Sequence, residues 1–258
     1  MKVAVAGAGG RMGRALIEAI GADGALALAA ALDVAGSPSI GEDAAGVKIT
    51  SDTAKALAGA DVLIDFTRPE GTMKHLAACL ERARAMVIGT TGFSEPEKKK
   101  ISEGAKRIPI VMSPNFAVGV NVLLKVAETA ARALGEGYDV EIVEAHHRHK
   151  VDAPSGTALK LGELIASALK TSLPAAAVHG RRGDTGERPA KQIGFHAIRG
   201  GDIVGEHTVL FIGSGERLEL AIRSQSRMTY ASGAVRAAKW LRGRPAGLYD
   251  MFDVLGLK

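Results

Sequence analysis

Short apolar runs separated by amphipathic stretches fill the first half of the chain. Residues 3–6, 26–32, 62–66, 86–88 and 108–112 have almost no polar interruption. Strands of a parallel sheet, covered on both faces, read this way. Between them the pattern changes to helical spacing, first through about residue 20, then from Pro69 to about residue 82, then over 94–106. Pro69 suits the first turn of its helix, where its missing N–H is no loss. Strands alternating with helices at this spacing predict a doubly wound parallel sheet. After Ala117 the rhythm differs. A helix is predicted over 118–134, and then strands dominate at 139–145, 191–199, 205–212 and 216–224, with one helix near 157–170. The alternation in Glu216-Arg217-Leu218-Glu219-Leu220-Ala221-Ile222 suits a half-buried strand, so this part reads as a mixed sheet with one face on a helix. An alanine-rich helix follows at about 230–241, and the glycine-rich segment 181–187 reads as a mobile loop. The fold class is α/β: a Rossmann-type doubly wound parallel sheet with a second α+β domain carrying a mixed sheet.

The turn after the first strand gives this pattern a ligand. Gly7-Ala8-Gly9-Gly10-Arg11-Met12-Gly13 follows a strand and opens a helix. Glycines there permit a tight turn and close approach of a pyrophosphate, which the helix N-terminus then receives. Asp33 ends the second strand 33 − 13 = 20 residues beyond Gly13, where a dinucleotide fold places a carboxylate on the ribose diol. That favours NADH, while Arg11 in the glycine loop can meet the 2′-phosphate of NADPH. Gly89-Thr90-Thr91-Gly92 closes another strand with small residues that let backbone approach a nicotinamide; a plain loop is the alternative. Phe116, in Ser113-Pro114-Asn115-Phe116, suits packing as well as cofactor contact.

A second cluster carries acid–base chemistry. In Glu144-Ala145-His146-His147-Arg148-His149-Lys150-Val151-Asp152, every residue from His146 to Lys150 can bear positive charge. Such crowding disfavours imidazolium unless anions offset it. Glu144 and Asp152 offset part, and a polyanionic substrate would offset the rest. Pro154-Ser155-Gly156-Thr157 then opens a helix whose N–H groups suit a carboxylate. A metal site is the weaker reading, because Arg148 and Lys150 would repel a cation and the only cysteine, Cys79, is distant in sequence.

These residues closely resemble the signature of the dihydrodipicolinate reductases. The resemblance extends through Asp65-Phe66-Thr67-Arg68-Pro69, Gly89-Thr90-Thr91-Gly92, Asn115-Phe116 and Arg199-Gly200-Gly201-Asp202-Ile203-Val204-Gly205-Glu206-His207. It implies NAD(P)H-dependent reduction of 4-hydroxy-tetrahydrodipicolinate or dihydrodipicolinate to tetrahydrodipicolinate, in the diaminopimelate route to lysine. It implies His146 as proton donor and Lys150 as a second catalytic residue that also holds substrate, with His147, Gly156 and Thr157 as further substrate contacts. Cofactor contacts carry over to Gly7, Ala8, Gly9, Gly10, Arg11, Met12, Asp33, Arg68, Gly89, Thr90, Thr91, Ser113, Pro114, Asn115 and Phe116, serving NADH, NADPH or both. The C-terminal tail is implied to return to the nucleotide domain. The domains are then 1–117 with 228–258, binding the dinucleotide, and 118–227, binding substrate and forming a homotetramer through its sheet. The alternatives are another Rossmann-type oxidoreductase acting on a small dicarboxylate, or an NAD-sensing regulator, for which no DNA-binding element is visible.

Composition narrows the setting. The net charge of +5 is scattered rather than blocked, and no aromatic residues interleave it, so a small anionic ligand explains it better than nucleic acid. Lys98-Lys99-Lys100 reads as a solvated helix face. The single cysteine excludes an intramolecular disulfide. Met1-Lys2-Val3 runs directly into a strand and no apolar run would span a bilayer, so neither leader nor membrane is expected and the location is expected to be cytoplasmic.

Overall fold

A computed structural model describes residues 1–258. The chain divides into two compact units, Met1–Val118 with Arg227–Lys258, and Gly119–Ser226.

In the first unit the chain runs β1 (Lys2–Ala6), α1 (Arg11–Gly21), β2 (Ala27–Leu32), β3 (Asp43–Ala44), β4 (Val47–Thr50), α2 (Thr53–Ala58) and β5 (Val62–Asp65). It continues through α3 (Pro69–Glu81), β6 (Ala85–Ile88), α4 (Glu95–Ala105) and β7 (Pro109–Met112). The second unit holds most of α5 (Val118–Leu134), then β8 (Asp139–His146), α6 (Gly156–Ala168), α7 (Leu173–Ala176), β9 (Ala177–His179), β10 (Ile193–Arg199), β11 (Gly205–Ile212) and β12 (Arg217–Ser224). The chain then returns to the first unit with α8 (Met228–Trp240), β13 (Gly247–Tyr249) and α9 (Met251–Leu255).

The first sheet has the order β13-β7-β6-β5-β1-β2-β4-β3. Its ladders are parallel apart from the β3–β4 pair. Alternation along β1 sends Val3 and Val5 to one face, against α1, α8 and α9, and Ala4 and Ala6 to the other, against α2, α3 and α4. Both faces are covered, which is why these strands read as unbroken apolar runs. The order reverses around β1, and a doubly wound sheet opens its ligand crevice at the carboxyl ends of strands beside such a reversal.

The second sheet has the order β12-β11-β8-β10-β9, with β9, β10 and β8 mutually parallel and β11 and β12 antiparallel. Its register puts Val140, Ile142, Phe195, Val209 and Phe211 on one buried face. Gly162 of α6 lies against the Phe195 ring on that face and Gly119 of α5 against Ile222. The opposite face leaves Ile198 and Ile212 exposed.

Both sheets match the expected fold class, with strand ends shifted by one or two residues. The sequence reading passed over β3, β4, α2, α7, β9, β13 and α9. The glycine-rich segment 181–187 is exposed throughout and is held at its ends. Arg181 makes a two-pronged bond to Glu141 at 2.8 and 3.0 Å, and Arg188 reaches the same carboxylate at 3.0 Å.

Candidate active site

The expected cofactor residues of the first unit sit at or beside the carboxyl ends of β1, β2, β5, β6 and β7. Gly7 turns the chain with φ +70°, and a Cβ on Gly13 would overlap the Gly7 carbonyl oxygen, so only glycine lets α1 start this close to β1. Gly10 caps α1 without any side-chain bond, and no acidic residue occupies the first turn, so the helix offers uncapped N–H groups to an anion. Arg11 stands exposed at the first position of α1, beside the partly exposed Met12. Asp33 follows β2. Its Oδ2 accepts from the Gly9 N–H at 2.9 Å and its Oδ1 from the Val34 N–H at 2.8 Å. Each oxygen keeps a lone pair for a ribose hydroxyl. This arrangement fits a dinucleotide.

Arg68 caps α3, and the exposed Thr91 follows the buried Thr90. The Ser113 hydroxyl donates to the Asn115 carbonyl at 2.9 Å, and Pro114 is exposed between them. The Phe116 ring is buried, 5.3 Å from the Phe66 ring, so packing accounts for that side chain. Ala8 is buried as well, and its N–H donates to the Leu32 carbonyl at 2.8 Å.

In the second unit the basic cluster is divided by its backbone. His146 is the last residue of β8, and residues 147–150 form a turn closed by the Lys150 N–H on the His147 carbonyl at 3.1 Å. Arg148 and His149 are exposed, whereas His146, His147 and Lys150 are partly buried. Lys150 Nζ donates to Asp152 at 2.8 Å. His147 Nδ1 is buried without a partner. Ser155 caps α6 by accepting from the Ala158 N–H at 3.2 Å, which sets Gly156 and Thr157 in the first turn.

Glu144 organises this site. It lies two residues before His146 on the same face of β8, opposite His207 on β11, while Arg199 on β10 stands opposite His146. Its carboxylate is 1% exposed and takes Arg199 in a two-pronged bond at 2.7 and 2.8 Å, the Ser155 N–H at 3.2 Å, and His146 Nδ1 at 2.6 Å. Burial pulls the Glu144 carboxyl upward, but the bonds from Arg199 and His146 outweigh it and hold it below the usual range. Burial lowers His146, against an upward pull from Glu144 and with Lys150 and Arg199 adding to the depression. With Nδ1 engaged, Nε2 is the nitrogen left to exchange a proton with a ligand. His207 packs edge-on to His146 at 5.2 Å and meets the Ser155 hydroxyl at 2.9 Å. Burial pushes its pKa down to about 4, so the ring is neutral at pH 7.

Two family profiles match the chain: "Dihydrodipicolinate reductase, N-terminus" over residues 1–116 and "Dihydrodipicolinate reductase, C-terminus" over 119–255. The chain belongs to the dihydrodipicolinate reductase family. Proteins named 4-hydroxy-tetrahydrodipicolinate reductase from Thiobacillus denitrificans and Aromatoleum aromaticum are each 57% identical to it over 265 residues. The matches cover all of this chain and 99% and 96% of those proteins. The structure of a dipicolinate-bound dihydrodipicolinate reductase from Paenisporosarcina sp. TG-14 superposes with a TM-score of 0.82 at 26% identity, covering 98% of both chains. The resemblance carried by the histidine and glycine motifs is borne out. This reductase is an NAD(P)H-dependent oxidoreductase with a small-molecule substrate, and none of its helices is long and apolar enough to cross a membrane. Sequence reasoning passed over Arg199, Ser155 and His207 as site residues and gave Glu144 only a charge-balancing part. The available signal was strand periodicity, which puts Glu144 and His146 on one face.

Proposed function

We propose that the reductase converts 4-hydroxy-tetrahydrodipicolinate or dihydrodipicolinate to tetrahydrodipicolinate, in the diaminopimelate route to lysine, using the residues of these two sites. Unit 1 binds the dinucleotide through residues 7–12, Asp33, Arg68, residues 89–91 and residues 113–116. Unit 2 binds substrate. When bound, the nicotinamide would supply a hydride to one ring carbon. The electron pair released onto the neighbouring carbon takes a proton from His146 Nε2, so dihydrodipicolinate gains one C–H bond at each carbon; 4-hydroxy-tetrahydrodipicolinate first loses its hydroxyl as water and then follows the same step. Lys150 and the first-turn N–H groups of Gly156 and Thr157 receive substrate carboxylates, and His147, with its buried unpartnered Nδ1, adds a polar contact. The carrying observation is the 2.6 Å bond from His146 Nδ1 to a buried carboxylate, which fixes the ring orientation and leaves Nε2 to act. His146 is depressed by burial and by neighbouring cations, and bound carboxylates raise it towards neutrality, so substrate binding itself prepares the acid.

The test couples the purified protein to dihydrodipicolinate synthase and follows NADH or NADPH absorbance. His146→Gln is expected to lower kcat about 10²- to 10⁴-fold while NADH affinity stays within about twofold. An equal loss of NADH affinity overturns the role of His146. The same reading makes the enzyme a cytoplasmic homotetramer joined through the face of the second sheet on which Ile198 and Ile212 are exposed. A monomeric mass by sedimentation would rule that assembly out.

A further inference from the structure

Asp65 has no part in the chemistry above, yet it is one of the most enclosed charged groups in the chain. It ends β5 and its side chain is 0% exposed. A carboxylate out of water must have every oxygen partnered. Here the partners are neutral hydroxyls, one backbone N–H and one histidine. Oδ1 accepts from the Thr67 N–H at 2.8 Å, the Thr67 hydroxyl at 2.7 Å and the Thr90 hydroxyl at 3.5 Å. Oδ2 meets His75 Nδ1 at 2.7 Å. Thr72, fully buried on α3, donates to the Thr90 hydroxyl at 2.8 Å. The Gly89 N–H donates to the Asp65 carbonyl at 2.8 Å.

These bonds join β5, the loop after it, α3 and the Gly89–Thr91 loop at one point. Thr67 carries the network further, because its methyl group would lie 3.1 Å from a Cβ on Gly7 and so floors the glycine turn. Stability alone is a poor reason for such a group, since buried charge networks are often replaced by apolar residues at little or no cost. What a fully bonded network does provide is one fixed arrangement.

We propose that Asp65 is a positioning residue for the cofactor: acting with His75 and Thr72 through the Thr90 side chain, it sets the backbone of Gly89, Thr90 and Thr91 that meets the nicotinamide. This rests on the reading of residues 89–91 as a cofactor loop. The side chains of Asp65 and Thr72 are fully buried, so any effect they have on a cofactor must pass through another group.

The test is a double-mutant cycle on NADH affinity, read by NADH fluorescence, with Asp65→Asn, Thr72→Val, Thr90→Val and the Asp65→Asn/Thr90→Val and Thr72→Val/Thr90→Val pairs. The loss of one network bond is expected to weaken NADH about tenfold in each single variant. Each double variant is expected to be no worse than its weaker single, because the residues act as one unit. Dipicolinate affinity without nucleotide is expected to stay within about twofold, and Thr90→Ser to recover most of the NADH affinity. The kinetic isotope effect with NADH deuterated at the transferred position is expected to rise. Thr72→Val and Thr90→Val are near-isosteric, so their cycle decides the matter even where Asp65→Asn fails to fold. Additive losses, NADH affinity unchanged, or NADH and dipicolinate weakening together would each overturn the proposal. A wild-type protein that oxidises neither NADH nor NADPH with substrate would instead overturn the functional reading beneath it.

Discussion

The two units each bury a carboxylate against a histidine, and the two pairs differ mainly in their third partner. Asp65 meets His75 Nδ1 at 2.7 Å in the first unit, and Glu144 meets His146 Nδ1 at 2.6 Å in the second. Both carboxylates are essentially sealed from solvent, at 0% and 1% exposure. Around Asp65 the remaining bonds come from threonines, which carry no charge and tie loops together. Around Glu144 they come chiefly from Arg199, whose two-pronged bond keeps the carboxylate ionised while His146 keeps its own protonation choice. On the proposed reading, the same pair of functional groups serves as a fastening in one unit and as a proton-handling device in the other.

The strongest way to break this contrast is to neutralise each carboxylate. Glu144→Gln takes the carboxylate from an Arg199 that is 20% exposed and still bonded to the Ile198 and Asp152 carbonyls, and is expected to cost about 3 kcal/mol of stability. Asp65→Asn weakens bonds from one backbone N–H, hydroxyls and an imidazole but strands no guanidinium, and is expected to cost about 1–3 kcal/mol. Urea unfolding of both variants checks the order, and Glu144→Gln/Arg199→Met should recover at least half of the larger loss. A cost for Asp65→Asn equal to that of Glu144→Gln would mean that the third partner matters little.

A smaller effect sharpens the electrostatic side. His207 titrates near 4 when folded and near its ordinary 6.5 when unfolded, so the unfolded chain takes up its proton first as pH falls. Its contribution is fully present above about pH 6.5 and is lost on going down to about pH 4, amounting to roughly 3 kcal/mol. His207→Gln, which keeps a hydrogen-bonding group for Ser155, should flatten that part of the stability–pH curve. An unchanged slope would assign the loss to other groups.

The smallest effect concerns a carboxylate with no cationic partner among its bonds. Asp33 accepts from the Gly9 and Val34 N–H groups and from no guanidinium, and the proposed reading gives its remaining lone pairs to a ribose. Asp33→Ala is expected to weaken NADH by about fivefold to tenfold and NADPH by less, as titration calorimetry with each nucleotide would show. If NADPH binds the unaltered protein far more tightly than NADH, Arg11 outweighs Asp33.

Much of this was legible before any coordinates. Continuous apolar runs located the principal strands of the first sheet because both of its faces are covered, and the glycine turn and histidine cluster fell at strand ends as read. Short pieces were not legible. β13 is Gly-Leu-Tyr and β9 Ala-Val-His, too brief for any periodicity to register, and each is held by a neighbouring strand rather than by its own composition. The roles of Arg199 and His207 were hidden for a different reason. They lie 55 and 63 residues beyond Glu144 in sequence, 199 − 144 and 207 − 144, and only cross-strand register brings them to it. The basic run looked like one charge cluster, whereas a strand end followed by a turn exposes Arg148 and His149 and draws His146 inward.

The return of Arg227–Lys258 to the first unit has a consequence for how the chain matures on a ribosome. Synthesis delivers β1 to β7 first, but α8, which packs on α1, and β13, which completes the edge beside β7, emerge only after the whole of the second unit. Val3, Val5, Val62 and Val111 share their core with Ala234, Ala238 and Met251 as well as with α1, so the part of that face that α8 and α9 cover stays wet until translation is nearly over. The second unit, Gly119–Ser226, has no such wait, since every strand of its sheet lies within one continuous segment. Maturation thus runs against the order of the gene: the later-encoded unit can close while the earlier one remains open to chaperones and proteases.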